Sequence, residues 1–450
     1  MMQFLHSFLF FILALGILIT FHEFGHYWVA RKCGVKILRF SIGFGRPLWQ
    51  RRYGADETEF VVAALPLGGY VKMLDEREAP VTESELPRAF NRQPLGQRLA
   101  IVLAGPLFNF LFAILAYWVI YLAGVTGLKP VIGAVEPGSL AAAAGLRADD
   151  EISAVDGQRT STWTMVLEAM ISRVVAGQAL ELSVLAREGG ERSVVLETGS
   201  LAIDDLADKD LLAHAGITPR RLPAIVGEVQ PGGAGDRAGL KSGDHILAID
   251  EDEITDWFSL VRFIQAHPGQ ALRVTLERQG ETRSLELRPD TRQAEDNKVI
   301  GFIGVGNQVQ DHLIGSESYT LLPALIKALD RTWDMSLLTL RMLKKIITGE
   351  ASLKNLSGPV SIAQYAGITA QSGMLEFLKF LGIVSVSLAV LNLLPIPLLD
   401  GGHVMYYLIE WLRGRPVSES AQLVGQQVGL VLLLGLMVLV IYNDLVRLLG

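Results

Sequence analysis

The chain has 450 residues, half of them hydrophobic and 19% charged, with 40 basic and 47 acidic side chains for a formal net charge of −7. Soluble domains run at about 25% charged, so this composition excludes a disordered chain and an ordinary cytosolic protein, and the acidic balance excludes a generally basic nucleic-acid binder. A single cysteine, Cys33, leaves no internal disulfide framework and no Cys-rich zinc module.

The first element is an apolar helix over about 4–30, long enough for the roughly 20 apolar residues of a bilayer crossing. It has neither the basic n-region nor the small-residue cleavage site of a signal peptide, so it reads as a retained span. Near its end stands His22-Glu23-Phe24-Gly25-His26. Two histidines four apart on a helix lie about 40° apart around the axis and about 6 Å apart along it. Both imidazoles then reach one ion, and the intervening Glu23 suits the general base of a metalloprotease. The run 8–21 is uncharged, which puts these groups inside the span, where ionisable side chains are expensive and mark function. The bland alternative is a helix end facing headgroups.

Next come Gly43-Phe44-Gly45 and the apolar run 60–73, which ends in Gly68-Gly69-Tyr70-Val71-Lys72-Met73. They read as a β-hairpin region: either an ordinary cytoplasmic hairpin or a strand edge offered to an extended peptide. A second span follows at about 99–123.

The middle of the chain repeats itself at a fixed offset of 94. Val135, Pro137 and Gly138 match Val229, Pro231 and Gly232, and Ala144-Gly145-Leu146 matches Ala238-Gly239-Leu240. Asp150, Ile152, Asp156 and Trp163 then match Asp244, Ile246, Asp250 and Trp257, so two copies of one domain are predicted. Each alternates short β-rich runs with Gly, Pro and Asp turns. The pattern resembles PDZ domains in their permuted form, with either a peptide-accepting groove or a rigid spacer as the role.

Residues 321–347, with Trp333 and Lys344-Lys345, have amphipathic helical spacing and fit a helix on the membrane surface or one packed beneath the second repeat. The third span covers about 375–399 and the fourth about 424–442. The third runs into Asn392, Pro395 and Pro397, whose rings break a helix, and then Leu399-Asp400-Gly401-Gly402-His403. A catalytic zinc needs a third protein ligand and an open position. Asp400 is the candidate, with His403 or a plain helix-end turn as alternatives.

Basic residues set the orientation. Arg31, Lys32, Lys36, Arg39, Arg46, Arg51 and Arg52 follow the first span, and Arg413 and Arg415 lie between the last two. Both connections read as cytoplasmic, which places the termini and the acidic repeats outside the cytoplasm. Asp400 then reaches the same membrane face as His22 and His26.

His22-Glu23-x-x-His26 together with Asn392, Pro395, Pro397 and Leu399-Asp400-Gly401 closely resembles the site-2 protease family of intramembrane zinc metalloproteases, over essentially the whole chain. The resemblance implies one zinc ion on His22, His26 and Asp400, with Glu23 as general base. It makes Asn392, Pro395 and Pro397 substrate contacts near the scissile bond. It also implies that the β region, through Gly43, Phe44, Gly45 and Gly68 to Met73, dips into the membrane and pairs with the substrate. Its implied partners are the lipid bilayer, a single-span membrane substrate of anti-sigma-factor type in an envelope stress response, remnant signal peptides, and peptide ligands of the PDZ pair. No nucleic acid partner is expected.

The expected fold is a polytopic α-helical membrane protein of four transmembrane helices, with a membrane-associated β-hairpin region and two extracytoplasmic α+β PDZ domains. Residues 1–128 and 374–450 would form the two halves of the membrane core, 129–221 and 222–312 the PDZ domains, and 313–373 an amphipathic membrane-proximal region. The location would be a bacterial inner membrane, with the site near the cytoplasmic side and the repeats and termini periplasmic. The competing classes are a non-enzymatic PDZ scaffold that binds exposed C-termini and a zinc protease that cuts soluble peptides at the membrane surface. A complete ligand set with its base speaks against the first. The position of that set inside an apolar span speaks against the second.

Overall fold

A computed structural model describes residues 2–199, 201, 211–293 and 299–449. Positions 200, 202–210 and 294–298 of the expected PDZ ranges fall outside the described residues. The chain divides into two compact units, one made of Met1–Val125 with Ser318–Gly450 and the other of Thr126–Glu317.

The first unit begins with helix α1 (Met2–Lys32), strands β1 (Ile37–Tyr53) and β2 (Thr58–Met73), and helix α2 (Leu95–Ala123). After the second unit it continues with α3 (Leu321–Thr348), α4 (Pro359–Ser372), α5 (Met374–Asn392), α6 (Asp400–Arg413) and α7 (Glu419–Leu449). Four helices, α1, α2, α5 and α7, are long and apolar enough to cross a membrane. Phe11, Ala14 and Leu18 of α1 meet Phe112 and Ala116 of α2, Ala366 of α4, and Phe377 and Leu381 of α5 in one buried cluster. Small residues in it let the helix backbones approach closely, which is how apolar helices gain packing energy in an apolar solvent.

The third span is shorter than the sequence indicates. Its helix stops at Asn392, and residues 393–399 form an irregular turn before Asp400 opens α6. Pro395 and Pro397 lack the N–H a helix needs, and Leu398 takes a left-handed φ of 90°. α3 is an amphipathic helix whose small-residue face is covered. Its buried stripe of Ala324, Ala328 and Thr332 packs on α2 and α5, and Trp118 Nε1 donates to Leu321 O at 2.9 Å.

The β region is more than a hairpin. The register pairs 37–42 with 69–73 on one side and 39–42 with 59–62 on the other, while 58–63 also pairs with 47–53. Four segments therefore lie side by side. Among the described residues, 69–73 is paired on one side only, which leaves it an edge. Tyr27, Ala30, Val35, Ile37 and Phe40 pack together with Ile101 and seat this sheet on the end of α1.

In the second unit the repeat is structural. Strands Glu151–Val155, Leu180–Leu185 and Glu191–Leu196 form an antiparallel sheet beside Gln158–Arg159, with helix Trp163–Ala176 against it. Strands His245–Ile249, Leu272–Arg278 and Glu281–Leu287 form the same sheet beside Asp252–Glu253, with helix Trp257–Ala266. Positions 94 apart play equivalent parts: Ile152 and Ile246 are both buried, Thr162 and Asp256 cap equivalent helices, and Asp150 and Asp244 are both buried and ion-paired, to Arg192 and Arg278 on non-equivalent strands.

Candidate metal centre

Two glycines let α1 and α2 cross close enough for chemistry. A Cβ on Gly25 would lie 2.4 Å from Ala104 O, and one on Gly105 would lie 2.3 Å from His26 Nε2 and 2.8 Å from His22 Cε1. The two imidazoles thus rest directly on the α2 backbone. His26 Nδ1 stands 2.8 Å from Ile101 O, which makes Nδ1 the protonated nitrogen and leaves the Nε2 lone pair facing inward. His22 Nδ1 is 3.2 Å from Asn109 Nδ2.

Asp400 arrives from the first turn of α6. Its Oδ2 lies 3.2 Å from His22 Nε2 and 3.5 Å from His26 Nε2, and the two Nε2 atoms are 3.3 Å apart. Donors about 2.0–2.1 Å from a tetrahedral zinc lie about 3.3–3.4 Å from one another. The triangle has that size. Asp400 Oδ2 is buried and makes no hydrogen bond of sound geometry, so an acceptor is held without a donor at the centre of the cluster. Two imidazoles and a carboxylate with these separations fit a zinc ion. Among the described residues these three form the group able to hold a metal; His403, the alternative ligand, lies outside it and faces Tyr406.

Glu23 sits beside the triangle and against the sheet. A Cβ on Gly69 would come within 2.9 Å of Glu23 Cγ, and the Val71 backbone N–H donates to the Glu23 carboxylate. That N–H belongs to the 69–73 edge. Of the other β residues singled out in the sequence, Gly43 and Gly45 take left-handed φ values of 91° and 88°. They flank Phe44, whose ring abuts Gly68 and stacks on Tyr70 at 6.1 Å. Lys72 pairs with Glu78 at 3.7 Å, and Met73 pairs with Ile37 in the sheet. The Phe44 loop and the 68–71 segment are therefore one surface next to Glu23.

Asn392 closes α5, half-buried, and Pro395 is exposed in the turn that follows. Pro397 packs on α7, where a Cβ on Gly429 would meet Pro397 O at 2.2 Å. The structure brings His22, Glu23, His26, Asp400, Gly69 and Val71 together, while Asn392, Pro395 and Pro397 lie on the segment that leads into Asp400. The sequence reading passed over Gly105 and Asn109. The signal was present: Asn109 is a polar side chain in an apolar span, the same anomaly that singled out His22.

The family model for peptidase family M50 matches residues 10–436. The chain belongs to peptidase family M50. It is similar over the whole length of both chains to the regulator of sigma-E protease RseP of Escherichia coli K12, at 43% identity, and to the protease RseP of Yersinia pestis, at 45%. A Vibrio cholerae protein whose name describes a zinc metalloprotease is 41% identical, again over the full length. This M50 member is a zinc-dependent intramembrane metallopeptidase, and its donor triangle has the size such a cofactor requires.

Proposed function

We propose that this M50 peptidase cuts single-span membrane substrates within the bilayer, with His22, His26 and Asp400 holding one zinc ion and Glu23 carrying the proton. The observation that carries the reading is the donor triangle of 3.2, 3.3 and 3.5 Å at the end of a membrane helix, with a carboxylate beside it. Bound zinc supplies a Lewis acid for the scissile carbonyl and for water activation. Glu23 accepts the proton of the attacking water and delivers it to the leaving amine. An intact substrate helix is closed to attack because its carbonyls are bonded within the helix. The 69–73 edge offers backbone partners to an unwound substrate segment, next to Glu23. Phe44 and Tyr70 flank that segment, while Asn392 at the end of α5 and Pro395 and Pro397 on the turn leading to Asp400 make further substrate contacts near the scissile bond.

The two halves of the second unit are read as PDZ domains, 129–221 and 222–312, outside the cytoplasm. Their acidity and the basic connections support this placement, and residues 1–128, 313–373 and 374–450 make the membrane part. The pair acts as a gate that excludes substrates whose extracytoplasmic domain is untrimmed. Similarity to proteins named regulator of sigma-E protease supports an anti-sigma factor as substrate and a bacterial inner membrane as the location. The scaffold reading finds no support in a chain that matches a peptidase family.

The test is cleavage of a single-span substrate in detergent, with and without a folded extracytoplasmic domain. Wild type cuts the trimmed form faster, and Glu23→Gln cuts neither. Equal cleavage of the trimmed substrate by Glu23→Gln overturns the proposed role of Glu23.

A further inference from the structure

One face of α2 carries three residues at intervals of four, Ile101, Gly105 and Asn109, and all three meet the histidines. Ile101 O takes the His26 Nδ1 proton, Gly105 makes room for both rings, and Asn109 faces His22 Nδ1 at 3.2 Å. A histidine that ligates through Nε2 carries its proton on Nδ1 and needs an acceptor there, and that acceptor fixes ring orientation and basicity. For His26 the acceptor is a backbone carbonyl. For His22 the side chain in reach is Asn109.

Asn109 is 1% exposed, and its Oδ1 is buried with no hydrogen-bond partner. The two ends of an amide are interchangeable in assignment, so a half-turn of the amide presents Oδ1 to His22 Nδ1–H. Asn109 is itself held in place, because Ser385 Oγ of α5 donates to its backbone O at 2.8 Å and Ser385 is fully buried. A buried amide on a fixed backbone, with one end 3.2 Å from a ligand's distal nitrogen and the other end unpartnered, is not required by helix packing.

We propose that Asn109 is a positioning residue for metal binding: its amide oxygen accepts the His22 Nδ1 proton and so commits Nε2 to the ion. The inference rests on the reading of His22 as a zinc ligand. Leu at this position fills the same space without accepting. Asp accepts through a carboxylate of similar size, and Ser is too short to reach.

Zinc affinity of the full-length protein in detergent is measured by competition with a chromogenic chelator, alongside the melting temperature of the metal-stripped form. Asn109→Leu should weaken zinc binding about 10- to 100-fold with the metal-free melting temperature unchanged. Asn109→Ser gives the same loss should Leu not fold, and Asn109→Asp retains near wild-type affinity. Wild-type affinity in both Asn109→Leu and Asn109→Ser, with zinc lost in His22→Ala, overturns the role of Asn109 alone. Equal loss in Asn109→Asp and Asn109→Leu overturns it as well, because the side chain would then act through shape rather than as an acceptor. Zinc retained in His22→Ala overturns the reading beneath it.

Discussion

Glu23 and Gly69 touch so closely that a single methyl group on Gly69 would stand 2.9 Å from Glu23 Cγ. This contact joins the helix that carries the proton acceptor to the strand edge proposed to hold the substrate. It also sets a distance on which catalysis depends, because displacement of a reacting group by about 1 Å can lower the rate about 100-fold. Gly69→Ala should therefore lower kcat on a single-span substrate by about 100-fold while zinc content stays at the wild-type level. Loss of zinc in this variant would mean that Gly69 supports the metal site rather than the placement of Glu23.

Gly105 plays the corresponding part for the imidazoles. The Cβ of Gly105→Ala would lie 2.3 Å from His26 Nε2, the atom that faces Asp400, and the α2 backbone beneath it is tied by Ile101 and Asn109. The rings must move. Zinc affinity should fall at least about tenfold, as read by chelator competition, with helix content unchanged by circular dichroism.

Asp400 is held from a distance. Arg98 of α2 makes two hydrogen bonds to Glu410 of α6, at 2.6 and 3.2 Å, with both side chains largely buried, and it lies 5.0 Å from the Tyr407 ring. Removal of one member of a buried pair leaves the other charge uncompensated and costs about 3–5 kcal/mol. Glu410→Gln should lower stability by about 3 kcal/mol in thermal melts, and the double variant Arg98→Met/Glu410→Met should recover most of it. Because α6 begins at Asp400, Glu410→Gln should also weaken zinc binding.

The second unit carries an acid-sensitive bond. Asp244 is buried, which raises its pKa. The Arg278 guanidinium and the Lys241 N–H outweigh that effect and hold its carboxyl below the usual range. A group depressed in the folded state contributes stability above its unfolded pKa and loses it as pH falls towards the folded value. Hydrogen exchange of strand His245–Ile249 should thus accelerate as pH drops below about 4, after correction for intrinsic rates. In Asp244→Asn the strand should be less protected at pH 7, and its protection should change less across that window.

The sequence disclosed the groups that break a local rule. His22, Glu23 and His26 stand out because an apolar helix carries charge there, and Asp400 because prolines interrupt a span just before it. The repeat was legible because the offset of 94 holds without a gap. What local pattern could not give was long-range register. One apolar run and one Gly-rich turn predict a hairpin, but the insertion of 39–42 between 59–62 and 69–72 depends on α1 as a platform. The packing of α3 was hidden for a related reason. Ala324, Ala328 and Thr332 are too small to mark a hydrophobic face, yet small side chains are what a close helix crossing needs.

Metal content of the purified full-length chain tests the central claim most directly. Wild type and Glu23→Gln should each hold one zinc ion per chain by mass spectrometry, while His22→Ala, His26→Ala and Asp400→Ala should lose it. Full zinc content in Asp400→Ala would contradict the assignment of the third ligand, and with it the reading of the donor triangle as the metal site.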